Sequence, residues 1–68
     1  MYATRINLIN RTETVKFYSL WAANQKAKEW AKCIDVESLV IIDDETGEIM
    51  TQYEGDKLVY VSGIGDIN

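Results

Sequence analysis

The hydrophobic period of this chain changes twice. Up to Tyr18 apolar and polar residues alternate, from Leu20 to Ile34 apolar residues recur at helical spacing, and from Val36 onward alternation returns. A period of two belongs to a strand and one of 3.6 to a helix. A single helical segment between groups of alternating segments restricts the chain to a mixed fold. Short links between the alternating segments make those strands antiparallel neighbours.

The first segment sets Tyr2, Thr4, Ile6 and Leu8 on one side of a strand and Ala3, Arg5, Asn7 and Ile9 on the other. Asn10 has turn character. Glu13 to Tyr18 alternates again and is rich in β-formers. A helix extended backward from Leu20 would carry Glu13 and Lys16 onto its apolar stripe, so the helix starts after Ser19, an N-cap residue. From Leu20, at about 100° per residue, Leu20, Ala23, Ala27, Trp30, Ala31 and Ile34 fall within one core-facing arc. The helix body runs to about Cys33.

Val36 to Ile42 reads as a third strand, apolar enough to be central. Asp43-Asp44-Glu45-Thr46-Gly47 is a turn, Glu48 to Tyr53 a fourth strand and Glu54-Gly55-Asp56 a second turn. Lys57 to Ser62 is a fifth strand, with Leu58 and Tyr60 on one face and Val59 and Val61 on the other. Gly63 to Asn68 reads as a flexible tail. The pattern predicts one α+β domain over residues 1–68: a small antiparallel sheet of about five strands, in the order β-β-α-β-β-β, with one helix packed on one face.

At 68 residues such a domain has a marginal core. Cys33 is the sole cysteine and histidine is absent, so neither an intrachain disulfide nor a Cys/His zinc site can staple it. Self-association is the remaining device, and a homodimer is expected. No targeting signal is visible, and no apolar run exceeds four residues, as in Leu39-Val40-Ile41-Ile42. With a free thiol, this points to a reducing, cytoplasmic compartment and no membrane.

The net charge of −4 argues against nucleic acid as a partner. Its distribution says more. Residues 1–34 carry Arg5, Arg11, Lys16, Lys26, Lys28 and Lys32 against Glu13 and Glu29, a net +4. Residues 35–68 carry Lys57 against nine carboxylates, a net −8. Head-to-tail pairing, one acidic and one basic face, or mutual neutralisation within the fold all fit this asymmetry.

Few residues carry catalytic chemistry. Histidine, the usual general base at neutral pH, is missing. Cys33 sits near a helix C-terminus, where the dipole favours the thiol over the thiolate. Asp43, Glu45 and Glu54 approach the spacing of a calcium loop, but Gly47 falls one place early and a strand interrupts. Gly63-Ile64-Gly65 lacks the third glycine and the following helix of a phosphate-binding loop. No cofactor is implied, and the chain reads as a non-enzyme.

Two candidate binding surfaces remain. Trp21 lies on the polar side of the helix with Gln25, Lys28 and Lys32, where an aromatic plane beside ammonium groups suits a protein interface or a stacked base with its phosphate. Packing of Trp21 over the end of the sheet is the competing reading. The second surface is the acidic turn at Asp43, Asp44 and Glu45. The expected function is therefore that of a small interaction protein: an inhibitor, adapter or regulatory subunit, such as phages and mobile elements encode. The alternative is a homo-oligomeric protein that holds a nucleotide-like anion through Trp21 with Lys28, Lys32 or Arg5.

Overall fold

The computed structural model describes residues 1–62. It has β1 (Tyr2–Leu8), β2 (Thr12–Phe17), α1 (Leu20–Ala31), β3 (Val36–Asp43), β4 (Ile49–Glu54) and β5 (Lys57–Val61). The strands form one antiparallel sheet in the order β2-β1-β3-β4-β5. The β-β-α-β-β-β order read from the sequence is the observed one, and the apolar third strand is central. After β2 the helix carries the chain back across the sheet, so that β3 pairs with the free side of β1.

Alternation fixes which face is buried. Ile6 lies opposite Leu39 and Leu39 opposite Tyr53; Thr4 lies opposite Ile41 and Ile41 opposite Thr51. These rows face the helix. Leu39 and Ile41 are essentially inaccessible, and each contributes about 2 kcal/mol through burial. The helix meets them with Ala23, Ala27 and Ala31, all buried. Their small side chains let the helix sit close to the sheet. On its β2 flank Trp30, half-buried, packs on Phe17 with ring centroids 6.1 Å apart at 46°.

Both helix ends are satisfied locally. Ser19 has extended backbone angles, and its hydroxyl accepts the Ala22 amide at 3.1 Å. At the other end the Lys32 and Cys33 amides donate to the Glu29 and Trp30 carbonyls. The helix therefore ends at Ala31. Ile34, expected on the core stripe, lies beyond the last turn, leaves the helical period and is fully exposed.

The β3–β4 and β4–β5 turns each use a glycine, whereas the β1–β2 turn, closed by the Leu8 amide on the Arg11 carbonyl at 2.7 Å, does without one. Gly47 and Gly55 have φ of +76° and +61°, a region that costs L-residues about 1 kcal/mol or more. The Gly47 amide donates to the Asp43 carbonyl at 2.8 Å, closing the β3–β4 turn.

Two bulges alter the face assignment of the last strands. Ile42 lies opposite Ile49 while Ile41 lies opposite Thr51, so Met50 is the extra residue. Tyr53 lies opposite Leu58 and Gln52 opposite Tyr60, so Val59 is extra. An extra residue resets the alternation. Leu58 therefore shares the helix side with Tyr53, and Tyr60 shares the helix-free side with Gln52; strict alternation had placed Leu58 and Tyr60 together.

The strand order turns the charge asymmetry of the sequence into a spatial one. The strands of the basic half, β2 and β1, occupy one side of the sheet, and those of the acidic half, β3 to β5, the other. No helix among the described residues is long and apolar enough to cross a membrane. The segment read as a flexible tail, 63–68, lies outside the described residues.

Candidate functional site

The rotation of the helix decides what its outer side presents. The Thr51 hydroxyl on β4 donates to the Asn24 side-chain oxygen at 2.9 Å, so the Asn24 flank faces β4. At about 100° per residue Trp21 and Lys28 lie within roughly 60° of Asn24, with Lys32 and Gln25 next to them, higher on the solvent side. The stripe Trp21–Gln25–Lys28–Lys32 therefore borders the β4–β5 side, away from Trp30 and β2. All four residues are exposed.

Trp21 is 72% exposed and does not fold over the sheet end. Tyr18, which precedes the N-cap, is 88% exposed. No helical period covers Tyr18, which closes the alternating run just after β2. Lys28 and Lys32 form no ion pair among the described residues, in contrast to Lys26, which lies 3.8 Å from Glu29. From Trp21 to Lys32 the helix rises about 16 Å. At the Lys32 end, Ala31 to Ile34 and Val36 border a concavity of about 390 Å³ with Gly55 and Asp56 of the β4–β5 turn.

The acidic turn is less available than its composition implies. The Asp43 carboxylate accepts the Glu45 amide at 2.9 Å and so caps its own turn. Asp44 receives the Lys16 ammonium at 2.6 Å. That hydrogen bond, with the attraction of the same charge, holds the Asp44 carboxyl below its ordinary range despite a small opposing cost of desolvation. Glu45 is exposed and makes no ion pair among the described residues.

The topology brings part of the two predicted surfaces together. Phe17, Tyr2 and Asp43 are neighbours across β2, β1 and β3, so the helix start and the acidic turn share one end of the molecule. Trp21 and Tyr18 belong to that end; Lys32 belongs to the other. Arg5 does not join them. It alternates with the helix-facing Thr4 and Ile6 and so projects from the opposite face of the sheet, which removes it from any single-chain anion site with Trp21.

Among the described residues no group of three or more His, Cys, Asp or Glu is placed to hold a metal ion. Asp43 and Glu54, paired in the calcium spacing, lie at opposite ends of the β3–β4 ladder. Cys33 is exposed, with its sulfur 4.0 Å from the Glu29 carbonyl. Compared with family models, with curated proteins and with solved structures, the chain matches none.

Proposed function

We propose that this protein is a non-enzymatic interaction module, an inhibitor, adapter or regulatory subunit, that docks another protein on the Trp21–Gln25–Lys28–Lys32 flank of its helix. The exposure of Trp21 carries this reading. A tryptophan left in water gains nothing for the fold, whereas at an interface it is among the strongest anchors. Lys28 and Lys32, free of ion pairs among the described residues, favour an acidic rim on the partner. Glu45, at the Trp21 end of the molecule, offers a second contact to a basic group. The exposed Cys33 thiol fits a reducing, cytoplasmic setting.

Affinity capture with the wild-type chain and three variants tests this. Trp21→Ala and the pair Lys28→Glu with Lys32→Glu should each abolish capture of the partner. Lys26→Glu, on the β2 flank, should leave it intact. Equal capture by all four chains would end the proposal.

A further inference from the structure

The helix covers one face of the sheet. On the other, alternation and the two bulges collect Ala3, Val40, Ile42, Ile49, Val59 and Tyr60. Ile49, Val59 and Tyr60 are 41%, 44% and 46% exposed, which is high for large apolar residues of a sheet. Ile49, Gln52, Val59 and Tyr60, with Gly47 and Glu48, border a shallow concavity of about 420 Å³. We propose that this face is the dimer interface, and that its occupant is the same face of a second copy.

The charges specify a second copy. Arg5 on β1 and Lys16 on β2 project from the helix-free face, since their neighbours Thr4, Ile6, Val15 and Phe17 face the helix; Lys16 is held by Asp44 of its own chain, and Arg5 forms no ion pair among the described residues. Glu54 on β4 projects from the same face, in the row of Ser38 and opposite Lys57 of β5, and Glu48 borders the concavity, where it accepts the Ser62 hydroxyl at 3.5 Å. Two sheets packed face to face keep their strands within about 30° of each other. A two-fold axis along the strands, near β3, then lays the β1–β2 side of one copy on the β4–β5 side of the other. Arg5, in the row of Val40 and Gln52, then lies over the β4 of the second copy at Gln52, with Glu54 two residues along and within reach of the guanidinium. That ion pair forms twice. Val40 and Ile42 meet their own copies across the axis, Ile49 meets Ala3, and Val59 and Tyr60 lie over β2 near Thr14.

Size points the same way. The chain has one cysteine and so no intrachain disulfide, and a core of this size is marginal alone. Five strands about 4.8 Å apart and five to eight residues long give an interface on the order of 1,000 Å² over both copies. That is the lower range for a specific pair, so the dimer should dissociate on dilution.

Sedimentation velocity over a range of concentrations, from low-micromolar upward, tests the proposal on the full chain. The wild type should pass from monomer to dimer. Ile49→Asp and Tyr60→Glu, at accessible positions, should each weaken association at least tenfold. Arg5→Glu and Glu54→Arg should each weaken it as well, and the double variant Arg5→Glu with Glu54→Arg should regain most of the loss. These two exposed positions keep the test independent of folding, which circular dichroism verifies for every variant. A monomer at all concentrations overturns the proposal. So does a dimer indifferent to Ile49→Asp and Tyr60→Glu. Failure of the double variant to recover overturns the two-fold arrangement.

Discussion

Thr51 donates its hydroxyl proton to the Asn24 side chain across 2.9 Å, joining the middle of β4 to the first half of the helix. Thr51 is 2% exposed and Asn24 half-buried, so the bond is shielded from water. It restrains the rotation of the helix and so fixes the direction of Trp21 and Lys28. Thr51→Val keeps the shape and leaves the Asn24 oxygen without its donor, at a cost of about 1 kcal/mol. Chemical denaturation should show that loss, and a double-mutant cycle with Asn24→Ala should return most of it as coupling.

Thr4 gives the opposite sign. It is fully buried, and its hydroxyl has no hydrogen-bond partner among the described residues. Folding therefore strips water from a polar group without replacement, which costs about 1–3 kcal/mol. Thr4→Val should stabilise the protein by roughly 1 kcal/mol in the same assay. Destabilisation would mean that the hydroxyl is paired in solution.

The two threonines show where the sequence was legible and where it was not. The period of two placed Thr4 and Ile6 on one side of β1 without saying which side is inner; in the fold that side is the buried one. Period cannot tell that Thr51 finds Asn24 while Thr4 finds no partner among the described residues, because the pairing depends on helix rotation set by Ala23, Ala27 and Ala31. The helix start was legible because Ser19 caps it, and the end was misplaced because no glycine or proline follows Ala31. That error put Ile34 in the core. The bulges at Met50 and Val59 carry neither glycine nor proline, so strict alternation grouped Tyr60 with Leu58. For the site, the wheel put Trp21, Gln25, Lys28 and Lys32 on the polar side of the helix, and the structure leaves all four exposed. Whether Trp21 folded down or stood out depended on what β4 and β5 leave uncovered, which one-dimensional spacing does not encode.

Lys16 and Asp44 come from opposite halves of the chain and meet at one end of the sheet. Because Lys16 holds the Asp44 carboxyl below its ordinary range, this carboxylate contributes to stability above its unfolded pKa. The contribution disappears as pH falls through the lower folded value. Lys16→Met should raise the Asp44 midpoint toward that of an ordinary aspartate in an NMR titration. Added salt should shift the wild-type midpoint the same way, since both side chains reach solvent. An Asp44 midpoint unmoved by Lys16→Met would place its partner elsewhere.

The two tryptophans should separate in every spectroscopic measurement. Trp30 packs on Phe17 and borders the core, so Trp30→Ala should cost about 2 kcal/mol or more. Trp21 is 72% exposed, and Trp21→Ala should change stability by no more than about 0.5 kcal/mol. In a Trp30→Phe background the emission of Trp21 alone should peak where free tryptophan does in water. Its surroundings also carry a sign. The chain has a net charge of −4, which by itself would repel iodide and attract caesium. Lys28, two turns along the same flank, offsets part of that bias, whereas Lys32 lies about 16 Å away at the other end of the helix. Lys28→Glu should therefore raise caesium quenching of Trp21 relative to iodide more than Lys32→Glu does. A quenching ratio unmoved by Lys28→Glu would mean that this ammonium group does not bear on the indole.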